Sequence, residues 1–282
     1  MKVTVQAPAK LNITLDVLGK REDGYHLLDM IVQTVTLCDT LEIELNESGN
    51  ITLFESSGNL PIDEDNLAFA AARLLLQKAG SKKGAEIKLF KRIPIAAGLG
   101  GGSSDAAAVL KGLNSLLGNP FSLLELAEMS VVLGADVPMC VLGGAMRARG
   151  IGEVIEALPP LPECWFVVTK NGKKPSTGAM YRRLGEVGIS RRPDTEGAIK
   201  AICDGDLDAL CRGIYNVFLP ACDDAIIAED IALLRSTKAL GVGLSGSGPS
   251  VFGIFKTEAS AKAAQELLIK NGKNAFLCEP TK

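Results

Sequence analysis

A single histidine, His26, stands among the 282 residues of this chain. That scarcity argues against a histidine-based zinc site and leaves one candidate for any Ser-His-Asp arrangement. Cysteine never occurs as C-x-x-C, and Cys38, Cys140, Cys164, Cys203, Cys211, Cys222 and Cys278 are odd in number and scattered. Mostly buried, reduced thiols are expected, not a disulfide frame or a metal site. Positive charge is not in excess either: 30 Lys and Arg face 33 Asp and Glu, for a net charge of −3. Nucleic acids and anionic membranes attract a basic excess, so neither is an expected partner, and an anionic substrate must be met by local cations. No apolar run reaches membrane-spanning length, and Met1-Lys2-Val3-Thr4-Val5-Gln6 alternates like a strand where a signal peptide would run apolar. A cytoplasmic protein is expected, or one whose organelle-targeting segment has been removed. The tripeptide Gly-Lys-Ser/Thr that closes a Walker A loop is also missing, which excludes an ordinary P-loop enzyme.

What is present starts with Gly98-Leu99-Gly100-Gly101-Gly102-Ser103-Ser104-Asp105, running directly into Ala106-Ala107-Ala108-Val109-Leu110. Glycines followed by hydroxyls at a helix start let backbone N–H groups and the positive dipole end surround an anion. The segment is expected to be a phosphate cradle, with Ser103 or Ser104 as helix cap and a side chain at Gly101 taking a phosphate's place. Ala106, Val109, Leu110, Leu113, Leu116 and Leu117 recur at helical spacing, and Gly118 and Pro120 stop the helix. Residues 85–92 alternate as a strand that feeds the loop through Ile93-Pro94. A G-x-G-x-x-G at Gly241, Gly243 and Gly246 follows a helical stretch and precedes a strand, the wrong order for a dinucleotide fold.

With 47% hydrophobic residues the chain can bury one large or two medium cores. Strands are expected at 3–7, 12–17, 30–37, 40–45 and 51–54, and a helix at 66–78. Ser122-Leu123-Leu124-Glu125 is a capping box opening a helix to about 133, followed by Gly134 and a loop at 135–138. Three prolines in residues 158–162 mark a domain boundary at 158/159. Beyond it a strand at 165–169 precedes helices at 177–184, 195–204, 206–216 and 224–240. A strand at 250–255, a helix at 259–270 and a strand at 274–278 follow. Strands and helices segregate, so the class is α+β without an internal repeat.

Pro8-Ala9-Lys10-Leu11-Asn12, Asp23-Gly24-Tyr25-His26, the glycine loop and the second glycine-rich loop from Gly243 to Ser250 together resemble the GHMP kinases over most of the chain. The resemblance implies a two-domain GHMP kinase fold with its active site in a cleft, residues 1–158 binding ATP and 159–282 on the substrate side. It implies ATP with Mg²⁺ and a hydroxyl acceptor carrying a cytidyl diphosphate; a homoserine, mevalonate or sugar kinase and a non-catalytic ATP sensor are the alternatives. It further implies Lys10 and Asp136 as catalytic residues. An aspartate near the acceptor takes its proton while a lysine offsets γ-phosphate charge, whereas the structural alternative for Asp136 is capping of local N–H groups. Pro94, Gly98, Leu99, Gly100, Gly101, Gly102, Ser103 and Ser104 are implied to bind ATP. Asn12, Tyr25, His26, Tyr181, Gly246, Ser247 and Gly248 are implied to bind substrate, with Tyr25 and Tyr181 on the two faces of the cytosine. Metal ligands stay open, with Ser104 and Asp105 as candidates, and so does the oligomeric state. Two features depart from the family pattern. Asp105 puts a carboxylate where it favours the helix dipole but repels a triphosphate. Lys170-Asn171-Gly172-Lys173-Lys174 replaces a proline-containing turn and offers two lysines to the diphosphate.

Overall fold

The structure, a computed structural model, describes residues 1–173 and 176–282. The chain forms two compact units, one of Met1–Ala9, Cys38–Ile95 and Gly100–Gly143, the other of Lys10–Leu37, Ala96–Leu99 and Gly144–Lys282. This division passes through two long strands, β1 (Lys2–Lys20) and β2 (His26–Asn46), and not through the prolines at 158–162. The sequence pattern predicts a break in each strand where there is none. Proline needs only a place in the ladder where no N–H is required, and two residues after Pro8 the N–H of Lys10 donates to the Leu99 carbonyl of the glycine loop at 2.9 Å. In β2, Asp39 continues the strand because its carboxylate is satisfied by the backbone N–H groups of Arg92 and Ile93.

In the first unit, β3 (Ile51–Glu55) lies parallel to β4 (Gly84–Phe90), which runs antiparallel to the end of β2 with Leu41 opposite Leu89 and Ile43 opposite Ile87. Helix α1 (Leu67–Lys78) starts at Asn66, whose side chain accepts from Ala68 N. It packs on α2 (Gly101–Leu116) through alanine-rich faces. Gly112 lets α2 lie close to the sheet, since a Cβ there would stand 2.6 Å from Ile43 Cδ1. The expected capping box opens α3 (Leu123–Ser130), and a single 3₁₀ turn at Val131–Leu133 completes that stretch. Val137 and Pro138, at the end of the expected loop 135–138, instead open the short α4 (Val137–Leu142), for which Pro138 in the first turn is well suited.

The second unit pairs Leu28–Gln33 of β2 with β5 (Ala145–Gly150), itself in a hairpin with β6 (Val154–Ala157). After β7 (Trp165–Thr169) come α5 (Thr177–Val187), α6 (Thr195–Asp204) and α7 (Leu207–Gly213), then the two-residue β8 (Tyr215–Asn216) and α8 (Ala225–Arg235). Then β9 (Gly241–Leu244), β10 (Val251–Phe255), α9 (Glu258–Lys270) and β11 (Ala275–Cys278) complete an antiparallel sheet of order β11-β7-β10-β9, on which α8 and α9 pack. Two expected helices end early. One leaves Tyr215 and Asn216 to pair with Thr14 and Leu15, and the other stops where the hydroxyls of Ser236 and Thr237 donate to the carbonyls of Leu233 and Leu234. The α+β class holds, and among the described residues no helix is long and apolar enough to cross a membrane.

Candidate active site

The glycine loop enters α2 through Gly100, which takes φ +67° and immediately precedes the helix. Ser103 and Ser104, expected as caps, therefore lie inside the first turn. The first i→i−4 bond runs from Ser104 N to Gly100 O at 2.9 Å, and Ser104 Oγ donates to Pro8 O at 2.6 Å. A left-handed glycine turns the chain into the helix without strain, so no hydroxyl has to. The N–H groups of Gly101, Gly102 and Ser103 have no acceptor within the helix and sit at its positive end, as a phosphate cradle requires. Upstream, Ala96 takes φ +53°, a conformation that costs a residue with a Cβ about 1 kcal/mol or more. A Cβ at Gly101 would meet Ile93 Cγ2 at 3.2 Å and Lys91 Nζ at 3.4 Å, side chains of the unit itself, where the sequence suggested a phosphate. Pro94 is half-buried, and Leu99 is buried, so Leu99 can offer a ligand only its backbone.

Beneath the cradle Lys91 lies between two acids, its Nζ 2.5 Å from Asp39 Oδ2 and 2.6 Å from Asp105 Oδ2. This removes the expected conflict between Asp105 and a triphosphate, because the carboxyl is turned inward onto a lysine. Burial first, and the nearby Asp39, push the Asp105 carboxyl up to about 7 against the pull of Lys91. Burial opposes the Lys91 charge, but the two carboxylates outweigh it and raise its pKa. Asp105 Oδ1 is buried without a hydrogen-bond partner. Ser104 and Asp105 are thus 1% and 2% exposed and committed inward, which does not fit them to hold Mg²⁺ on a solvated nucleotide. Among the described residues no group of three or more His, Cys, Asp or Glu side chains is placed to hold a metal.

Asp136 is half-buried just before α4, where Cys140 N donates to its carbonyl at 3.3 Å. Its carboxylate makes no cap bond to that helix.

In the second unit Lys10 is 5% exposed and donates from Nζ to Asn12 Oδ1 at 2.7 Å. Asn12 Oδ1 also accepts from Gly246 N at 2.9 Å, and Asn12 Nδ2 donates to Met30 Sδ at 3.2 Å. Asn12, expected against the substrate, is fully buried and spends its amide on the protein. Ser245 Oγ donates to Gly98 O at 2.9 Å and accepts from Asn12 N at 3.3 Å, which draws the two glycine loops and β1 into one network. Where the loops cross, a Cβ on Gly246 (φ +57°) would stand 3.1 Å from Gly98 O. Ser247 is buried, and Gly248 takes φ +82° ahead of a cis bond to Pro249.

Tyr181 stacks on His26, ring centroids 4.1 Å apart and planes 14° apart, while Tyr25 is 59% exposed. The turn explains the difference: Arg21 N bonds Tyr25 O and Tyr25 N bonds Asp23 Oδ1, which holds Tyr25 at the apex and gives His26 to β2. Burial, then the charge of Lys20, lowers the His26 pKa and favours the neutral imidazole. Phe218 meets the Tyr181 ring edge-on at 4.9 Å. In the segment from Lys170 to Lys174, expected to offer two lysines to the diphosphate, Lys173 is exposed with its N–H on Asp224 Oδ2 at 2.8 Å, and Lys174 lies outside the described residues.

Residues 66–144 match the GHMP kinases N terminal domain and residues 198–274 the GHMP kinases C terminal domain. A 4-diphosphocytidyl-2-C-methyl-D-erythritol kinase of Alkaliphilus metalliredigens is 41% identical over 269 residues, covering 95% of this chain and 92% of that protein. The kinase of the same name from Caldicellulosiruptor saccharolyticus is 42% identical over 268 residues, covering 94% and 92%. A crystal structure of 4-(cytidine 5'-diphospho)-2C-methyl-D-erythritol kinase matches with a TM-score of 0.82 and 32% identity over 99% of this chain and 100% of that one. The chain belongs to this family of GHMP kinases.

The fold of a GHMP kinase thus carries both glycine loops, and its structure adds residues that sequence reasoning did not single out. Asp39 and Lys91 have no local motif. Ser245 lies within the second glycine loop but was read only as part of it. Asn216 stood in view as the one amide in the apolar run Tyr215-Asn216-Val217-Phe218, a pattern that signals a buried, hydrogen-bonded side chain.

Proposed function

We propose that this chain transfers the γ-phosphoryl group of ATP to the 2-hydroxyl of 4-diphosphocytidyl-2-C-methyl-D-erythritol, giving the 2-phosphate and ADP. The step belongs to the non-mevalonate route to isoprenoids and takes place in the cytoplasm. The observation that carries the reading is near-full-length identity above 40% to kinases of that name. The N–H groups at the start of α2, which have no helical acceptor and no side-chain cap, support it. Gly102 adds a physical reason: its φ is ordinary and a Cβ would only touch Leu67 Cδ1 at 3.7 Å, so the chain's own packing does not require glycine there. Close approach of a ligand to that backbone does.

In this reading ATP phosphates lie on the N–H groups from Gly100 to Ser103, with Pro94, Gly98, Leu99 and Ser104 shaping the approach. Asp136 accepts the proton of the acceptor hydroxyl, and the Lys10 ammonium offsets charge on the phosphoryl group in transit. Asn12 serves by holding Lys10. His26 and Tyr181 supply aromatic faces for the cytosine, Tyr25 closes from the exposed turn, and the backbone of Gly246, Ser247 and Gly248 meets the diphosphate. Mg²⁺ would neutralise nucleotide charge; with Ser104 and Asp105 turned inward, no step is assigned to it. The two GHMP halves are taken as 1–158 and 159–282. Measuring ADP release with a panel of acceptors tests the assignment: the cytidyl compound is expected to be strongly preferred over methylerythritol phosphate, homoserine and mevalonate. Equal kcat/KM with and without the cytidyl group would move the chain to a sibling kinase, and ATP binding with no ADP release would leave a sensor.

A further inference from the structure

Asn216 is 2% exposed at the end of β8, whose pairing with Thr14 and Leu15 sets it beside the strand that carries Lys10 and Asn12. A carboxamide buried so far from water must find partners for two donors and an acceptor, and its choice of partners shows what it holds. Nδ2 donates to Leu244 O and to Gly246 O, both at 2.8 Å, and Oδ1 accepts from Phe218 N at 2.9 Å. Gly246 is therefore gripped on both sides, its carbonyl by Asn216 and its N–H by Asn12 at 2.9 Å. The same Asn12 oxygen takes the Lys10 ammonium at 2.7 Å. In the other direction Phe218, anchored by its own N–H, sets its ring against Tyr181, which lies on His26. Strand pairing alone asks for no amide here, because β8 is joined to β1 by its backbone and an apolar side chain would avoid the cost of burying a polar group.

We propose that Asn216 is a positioning residue of the kinase reaction: through Gly246 and Asn12 it sets where the Lys10 ammonium stands, and through Phe218 it seats the Tyr181 ring. It acts on substrate only through these neighbours. The inference rests on the proposed kinase reading. Asn216→Asp is the sharpest test, since a carboxylate oxygen in place of Nδ2 faces two carbonyl oxygens without a proton to offer. Per folded molecule, kcat is expected to fall roughly 10- to 100-fold and the acceptor KM to rise, as for a small misplacement of reacting groups. The ATP dissociation constant, from titration calorimetry, should stay within about two-fold, because the cradle on α2 is made by other residues. A merely structural role would lower the folded fraction and leave kcat per folded molecule and acceptor KM unchanged. Asn216→Ser, which keeps one donor, is the gentler companion. A folded variant of either kind with wild-type kcat and acceptor KM overturns the proposal, as does failure of both to fold, which would make Asn216 a folding residue. An inactive wild type with the cytidyl acceptor would instead overturn the reading of function, so the two failures are distinguishable.

Discussion

Replacing Gly98 by alanine tests how tightly the two glycine loops are joined. Gly98 has φ +77°, and a Cβ added to it would lie 2.4 Å from Ser245 O and 2.9 Å from Gly248 O, both backbone atoms. The left-handed conformation costs an alanine roughly 1 to 2 kcal/mol. Forcing apart well-packed backbone typically adds about 1 to 3 kcal/mol, so the folded state should lose roughly 2 to 5 kcal/mol. With an unfolding entropy of about 2.1 cal/mol/K per residue, a chain of 282 residues should melt ~3 to 8 °C lower. If the loop around Ser245 yields instead, the melting shift shrinks and the damage moves to the network of Ser245, Asn12 and Lys10, read as a fall in kcat. Gly102→Ala is the control: its Cβ finds only Leu67 Cδ1 at 3.7 Å, so Tm should hold or rise while the ATP KM worsens. Calorimetric melting and steady-state kinetics on both variants decide the matter. A Gly98→Ala protein that melts within about 1 °C of wild type with unchanged kinetic constants refutes the close packing of the loops.

Asp136→Asn is expected to leave ATP and acceptor binding near normal while turnover falls on the order of 10²- to 10⁴-fold, and turnover within a few-fold of wild type removes Asp136 from the chemistry. Because burial lifts Asp105 from 3.8 to about 7, the folded chain holds a proton there that the unfolded chain has shed. That stabilising contribution is whole below about pH 4 and is lost as the pH rises through 7, so wild type should lose Tm relative to Asp105→Asn over that range. A flat or opposite difference contradicts it. Tyr181→Ala should raise the acceptor KM about 10-fold or more, taking ~1 to 3 kcal/mol for a lost stack, and Tyr25→Ala less, since Tyr25 stands exposed; the reverse order restores Tyr25 as the main face. Activity is expected to need Mg²⁺ and to survive zinc chelation, and inactivation that zinc but not Mg²⁺ reverses argues otherwise.

Much of the cradle was legible because its information is local: four glycines within five residues, two hydroxyls and an alanine-rich run permit few other conformations. Even there the cap was misplaced. Ser103 and Ser104 satisfy the propensity for a cap, but Gly100 reaches the left-handed conformation at lower cost and takes the position. The capping box at Ser122 and the helix start at Asn66 held for the same local reason. Strand breaks failed because whether Pro8 or Asp39 interrupts a strand depends on which groups pair with the local donors and acceptors, and those partners, the Leu99 carbonyl and the Arg92 and Ile93 N–H groups, lie far along the chain.

The same distinction separates the candidate residues. Lys10, Asp136 and the glycines are candidates carried by short local segments of the sequence. The buried groups around them, Lys91 between Asp39 and Asp105 and Asn216 against the second glycine loop, join positions 14 to 52 residues apart in the first case and 28 and 30 in the second. No window of sequence contains both ends of such a bond. Burial supplies the missing signal, because a charged or amide side chain kept from water must be paired, and finding its partner shows what it positions. By that test Asn12 is reassigned from touching substrate to holding Lys10, since its amide has no exposed atom left to offer a pyrimidine.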